Sequence, residues 1–283
     1  MTYLDLLRTT TERTGSIICV GLDPVLEKIP IKGNPEKVIT KFYTDLFEAF
    51  QSENVLPGAI KPNIAFYEQY GFEGLRALQN VITIWRAANI PIILDAKRGD
   101  IGKTSAAYAK ACFVFWNVDA VTVAPYMGSD SIAPFLHYAD RGVYVLCRTS
   151  NPGAGDIQDL LIEGVPLYQK VADQLLQWAQ LGTGAVLGAT YPEELENIAT
   201  QFTKSGKELP LLIPGIGGQG GTVEEIMRSL KHAAYPLPLC RINASSAVNY
   251  AYQKQDTDDY AGAAVIAFKQ IQRNAVIRQK TNK

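Results

Sequence analysis

Histidine and cysteine are scarce in this chain of 283 residues, which holds two of the first and four of the second. His137 and His232 lie far apart in helix-like segments, with no ligand partner at metal spacing. Packing or surface roles are expected for them, and no metal centre. Cys19, Cys112, Cys147 and Cys240 form no Cys-x-x-Cys pair. That argues against a zinc or redox motif and for buried free thiols in a reducing compartment. Net charge is nearly absent, at -1, so nothing here attracts nucleic acid or an anionic membrane. No apolar run approaches the ~20 residues that span a bilayer. Asp5, Arg8, Glu12 and Arg13 interrupt the start, so no secretory signal is expected and the cytoplasm is the expected location. No Gly-x-Ser-x-Gly elbow or Cys–His pair suggests a covalent nucleophile, and no motif asks for a flavin, nicotinamide or metal cofactor.

What the chain does have is the composition of a globular protein, 47% hydrophobic and 19% charged. Short apolar runs alternate with helical patterns throughout. The strand candidates are "SIICVGL" from Ser16, "GAIKPN" from Gly58, "IPIILDA" from Ile90 and "AVTVAPY" from Ala120. They continue with "VYVLCRT" from Val143, "GAVLGAT" from Gly184, "LPLLIPGI" from Leu209 and "LPLCRINA" from Leu237. Most are nearly continuous Val, Ile, Leu and Ala, as in strands buried on both faces of a parallel sheet. Between them, "AFYEQYGFEGLRALQNVITIWRAAN" holds one helix or a short one followed by a longer one. "PLYQKVADQLLQWAQ", "TYPEELENIATQF" and "TVEEIMRSLKHA" each carry a proline or threonine suited to a helix start.

Eight strands alternating with helices predict an α/β fold, a (β/α)8 TIM barrel; an open doubly wound sheet is the other arrangement of such a pattern. No linker divides the chain, so one domain over 1–283 is expected, with an enlarged loop at about 24–40. The basic end (Arg278, Lys280, Lys283) is expected to fray.

In a barrel the chemistry sits at the C-terminal strand ends. Several strands here end in polar groups: Asp23, Lys61 with Asn63, Asp95 with Lys97, Thr149 with Ser150, and Asn243 with Ser245. Strand alternation puts Asp95 and Lys97 on one face, and Lys61 ends the preceding strand. Opposite charges at ~4 Å interact by roughly 4 kcal/mol at an effective dielectric of about 20. Such an array keeps each lysine protonated and each aspartate ionised. A protonated Lys97 held over a ligand suits a reaction that forms a carbanion and quenches it in place. Taken as residues alone, the cluster also fits a set of ion pairs closing the barrel end.

"PGIGGQGGT" (Pro214–Thr222) follows the seventh strand and precedes a helix. Its glycines, Gly217 and Gly218 among them, allow backbone N–H groups to approach a phosphate. After the eighth strand, Ser245 and Ser246 can contact the same phosphate or simply cap a helix.

These segments together resemble orotidine 5'-phosphate decarboxylases of the longer bacterial form. "DAKRGDIGKT" carries that family's Asp-x-Lys-x-x-Asp signature. "VGLDP" (Val20–Pro24), "KPNIAFYEQYG" (Lys61–Gly71), "RTSNPGA" (Arg148–Ala154) and "PGIGGQGG" (Pro214–Gly221) match in order along the chain. The resemblance implies a cofactor-free homodimeric barrel that converts orotidine 5'-monophosphate to UMP and CO2, the last step of pyrimidine synthesis. It implies Lys97 as the proton donor to C6 and Asp95 beside the substrate carboxylate. Lys61 completes the charged array, and Asp23 and Lys61 hold ribose hydroxyls. Asp100 enters the neighbouring subunit's site with Thr104 near it. Ser150 binds the pyrimidine, and Gln219 reaches between pyrimidine and phosphate. In one place the sequence departs: the family's motif after the eighth strand carries a phosphate-gripping arginine where Ser246 stands, and Arg241 is five residues earlier. Two other readings share parts of the pattern: a related sugar-phosphate decarboxylase that uses magnesium, and a catalytically silent nucleotide-binding barrel.

Overall fold

The computed structural model describes residues 1–217 and 220–275. Gly218, Gln219 and the basic tail therefore lie outside the described residues. Eight parallel strands form the central sheet: β1 (Ile18–Leu22), β2 (Ala59–Pro62), β3 (Ile93–Arg98), β4 (Ala120–Val123), β5 (Gly142–Arg148), β8 (Thr183–Leu187), β9 (Leu211–Ile213) and β10 (Cys240–Ala244). A small antiparallel hairpin, β6 (Leu161–Ile162) and β7 (Val165–Pro166), interrupts the series after β5. The sheet order is β2-β1-β10-β9-β8-β5-β4-β3. Bridges Ile60–Ile92 and Asn63–Asp95 join β3 back to β2 and close the barrel.

The main helices are α1 (Tyr3–Thr14), α2 (Pro35–Ser52), α3 (Gly71–Arg86), α4 (Gly102–Lys110), α5 (Ser129–Leu136), α6 (Leu167–Trp178), α7 (Pro192–Ser205), α8 (Val223–His232) and α9 (Tyr260–Asn274). Local chemistry explains their starts. Asn34 accepts the Lys37 N–H ahead of α2, and Pro35 occupies the first turn. Helix α2 thus begins inside the 24–40 segment. Thr222 accepts the Glu225 N–H at the head of α8. The long segment after β2 resolves into a turn at Ala65–Glu68 followed by α3. The outer faces of the strands pack on these helices in one large apolar cluster.

Helix α1 carries no strong signal in the sequence, yet it closes the barrel floor. A Thr2/Asp5 capping box starts it and Gly15, at φ 65°, ends it. Tyr3, Leu4 and Leu7 join the inward residues Cys19, Ala59, Ile93, Ala120, Tyr144, Val186 and Leu212 in one buried cluster. Burying Leu4 and Leu7 contributes about 2 kcal/mol each. The Tyr3 ring lies so close to β5 that a Cβ at Gly142 would stand 2.4 Å from it, so only glycine fits there.

Arg241 points into this floor. Fully buried, it donates to the carbonyls of Gly58, Pro238, Cys240 and Leu7 at 2.7–3.0 Å. Its guanidinium ties α1 to the strands at the end away from the cavity mouth, so it does not replace the missing arginine. All four cysteines are free and buried; burial pushes the Cys19 thiol up to about 12.

Candidate active site

A cavity of about 620 Å³ opens at the C-terminal ends of the strands. One wall is charged and comes from β1 to β3. Asp95 is its centre: Oδ2 accepts from Lys61 Nζ at 2.9 Å and Oδ1 from Lys97 Nζ at 2.6 Å. The three side chains differ in exposure. Lys61 and Asp95 are 5% and 10% exposed, whereas Lys97 is half exposed. Burial alone would raise the Asp95 carboxyl, but Lys61 and then Lys97 outweigh it and hold the group well below the usual carboxylate range. Burial likewise works against a charged Lys61, and Asp95 and Asp23 outweigh it, so the ammonium is held above the usual lysine range. Asp95 and Lys61 are therefore ionised, and Lys97 is the more exposed of the two amines.

Regular alternation along β3 does not produce this geometry. Leu94 pairs with Val121 and Arg98 with Val123, so three residues of β3 (Asp95, Ala96, Lys97) face one of β4, Thr122. Lys97 takes the left-handed backbone region at φ 45°, which a side chain disfavours. This bulge turns Lys97 back toward its neighbour.

Asp23 ends β1 on the same wall. Its carboxylate accepts the Asn63 N–H at 3.3 Å and the Ser245 hydroxyl. The backbone behind it is pinned by tyrosines: Tyr67 donates to the Leu22 carbonyl at 2.9 Å and Tyr250 to the Asp23 carbonyl at 3.0 Å. Ser245 makes no capping bond to the short helix Ser246–Asn249 that follows; its hydroxyl goes to Asp23 instead.

The opposite wall is neutral. Ser150 lines it after β5, beside Thr149, Asn151 and Gln158. Gln158 holds that turn, its Nε2 donating to Thr149 Oγ1 at 2.7 Å and its Oε1 accepting the Thr149 N–H at 2.9 Å. Pro214, Gly215, Ile216 and Ser246 form the remaining edge. Gly217 is not among the lining residues. The N–H groups of Gly217, Gly220 and Gly221 are engaged within their own loop, at 3.1–3.3 Å, and not turned toward the cavity as expected. Among the described lining residues the only cations are Lys61 and Lys97, both spent on Asp95.

Asp100 and Thr104 do not reach this cavity. Asp100 accepts the Ile101 N–H at 2.8 Å and Thr104 is exposed on α4. Sequence reasoning gave Thr122 and Gln158 no role. A lone polar residue in the apolar run "AVTV" was the available signal for Thr122; nothing marked Gln158. Both histidines are exposed, and among the described residues no three His, Cys, Asp or Glu side chains are placed to hold a metal ion.

The comparisons with known proteins agree with this fold. The model of the orotidine 5'-phosphate decarboxylase / HUMPS family matches residues 16–236. An orotidine 5'-phosphate decarboxylase of Herpetosiphon aurantiacus is 42% identical over 253 residues, 88% of this chain and 90% of that protein. One from Roseiflexus castenholzii is 40% identical and covers 98% of this chain and 99% of its own. The structure of Leishmania donovani OMP decarboxylase superposes with a TM-score of 0.76 at 35% identity, over 97% of this chain and 98% of the other. Over most of its length, then, the chain belongs to the orotidine 5'-phosphate decarboxylase / HUMPS family.

Proposed function

We propose that this protein decarboxylates orotidine 5'-monophosphate to UMP and CO2 in pyrimidine synthesis. The observation that carries this reading is the Lys61–Asp95–Lys97 array at the cavity wall, with Lys97 alone half exposed. The C6–carboxylate bond breaks, CO2 leaves, and the electron pair stays on C6. Lys97 Nζ gives that carbon a proton and later recovers one from solvent. A fixed ammonium also stabilises the charge as it develops, at a site that need not reorganise. Asp95 stands next to the leaving carboxylate and keeps Lys61 charged. Asp23 and Lys61 take the ribose hydroxyls, Ser150 the pyrimidine ring, and Ser245 and Ser246 the phosphate.

Asp100 and Thr104 serve a second copy of the chain in this reading. Ile101 just ahead of helix α4, Tyr108 on it, and Tyr126 and Met127 in the turn after β4 are exposed. Such a patch beside two functional side chains suits a homodimer interface. A cytosolic location accords with the four free thiols. The test is the loss of orotidine absorbance on mixing substrate with purified protein in EDTA. Substrate left intact would overturn the proposal, and magnesium-dependent decarboxylation of a sugar phosphate by the same protein would favour the sugar-phosphate reading.

Ser246→Arg follows from the neutral phosphate edge. A charge-assisted bond of about 1.5–3 kcal/mol is expected there, so UMP binding should tighten about tenfold or more. Uridine binding should not change. Calorimetry with both ligands checks this, and an equal gain for uridine would show that the arginine acts elsewhere.

A further inference from the structure

We propose that Thr122 is a positioning residue for the decarboxylation: its single hydroxyl holds Asp95 and the backbone of Lys97 in register with each other. This rests on the function proposed above but is drawn from a different set of contacts. Thr122 lies on β4, 1% exposed, opposite the bulge in β3. A regular parallel ladder would supply carbonyl acceptors to the N–H groups of β3. The bulge removes them between Leu94 and Arg98. Thr122 Oγ1 takes their place, accepting from Ala96 N at 3.0 Å and Lys97 N at 2.9 Å. The same hydroxyl donates to Asp95 Oδ1 at 2.9 Å.

A hydroxyl has one proton to give and two lone pairs, so these three bonds use it completely. Their consequence is geometric. Asp95 Oδ1 receives Thr122 from one side and Lys97 Nζ from the other. The carboxylate cannot rotate to follow a moving lysine, and the Lys97 backbone cannot relax from φ 45° without giving up the Oγ1 bond. Threonine suits the task because branching at Cβ restricts its χ1. The strained backbone of the proton donor and the carboxylate beside it are thereby set by one atom on a neighbouring strand.

The test compares Thr122→Val, which keeps shape and removes all three bonds, with Thr122→Ser, which keeps the hydroxyl. With orotidine 5'-monophosphate, Thr122→Val is expected to lose about 100-fold in kcat, the scale of a 1 Å misplacement. The dissociation constant for UMP should stay within threefold, and Thr122→Ser should stay within threefold of the parent in kcat. In the substrate-free protein, amide hydrogen exchange at Ala96 and Lys97 should accelerate about tenfold or more in Thr122→Val and not in Thr122→Ser. Parent-like kcat in Thr122→Val overturns the proposal, as does a serine variant that falls as far as valine, or unaltered exchange. Should the valine variant not fold, Thr122→Ala carries the same comparison. If the parent itself leaves orotidine 5'-monophosphate intact, the proposed function fails, while the exchange measurement still decides whether Thr122 holds the bulge.

Discussion

Lys97→Ala should reduce turnover of orotidine 5'-monophosphate by about 10⁴-fold, because under the proposed mechanism it removes the proton donor and the nearest fixed positive charge together. A positioned acid contributes typically ~10²–10⁴, and one preorganised electrostatic contact ~10²–10³. The two effects overlap in one side chain, so they are not multiplied. The variant should still fold. Lys97 is half exposed, and Asp95 keeps its bond to Lys61 at 2.9 Å. UMP should still bind, since the groups proposed to hold it, Asp23, Ser150 and Ser246, are untouched. Single-turnover kinetics alongside UMP calorimetry separates the two. Turnover within tenfold of the parent would remove Lys97 from the role of donor and leave the array as a structural feature of the barrel mouth.

Asp95→Asn should be the more damaging change for the fold. It retains shape but leaves Lys61, 5% exposed, without its charge partner. Breaking a buried pair by removing one member costs about 3–5 kcal/mol, and Asp23 nearby places this case toward the lower end. The pH dependence gives a second reading. In the parent, the Asp95 carboxyl is held below its unfolded value. Its contribution is complete above about pH 4 and is lost as pH falls through the native value. Lys61 is held above its unfolded value. Its contribution is complete below about pH 10 and is lost as pH rises through the native value. Between those limits the pair adds a constant amount. In Asp95→Asn the buried ammonium is disfavoured by desolvation, so the unfolded chain binds that proton more readily than the folded one. Stability of the variant should then rise with pH, and its deficit against the parent should narrow between pH 7 and pH 9.5. Urea titrations at the two values measure it. A deficit that stays constant would mean that Lys61 retains its proton through other partners.

The barrel and most of the charged wall were legible in the sequence for a definite reason. Strands buried on both faces have to be apolar, so a polar residue at the end of such a run stands out; Asp23, Lys61, Asp95 and Lys97 all did. What the pattern concealed was set by contacts between distant segments. The alternation that placed Asp95 and Lys97 on one face treats β3 as regular, whereas the strand is bulged and Lys97 has positive φ. No glycine sits at 97 to announce it. Helix α1 was equally quiet, because a helix that plugs a barrel floor needs only Tyr3, Leu4 and Leu7 to be apolar. Position alone, five residues before Ser246, does not say which way Arg241 turns; its side chain goes into the floor. The Gly-rich loop shows the converse limit: its composition permits anion binding, yet the described amides bond within the loop.

The backbone at 97 has one more consequence, for evolution under artificial selection. A left-handed conformation costs a residue with a side chain about 1–2 kcal/mol, and glycine nothing. Lys97→Gly should therefore be more stable than Lys97→Ala by about 1 kcal/mol, although both lack the amine. A library at this position sorted only for heat resistance would enrich glycine and asparagine, and sorted for turnover it would return lysine. The residue most needed for the proposed chemistry is thus one that selection for a sturdier barrel would discard first.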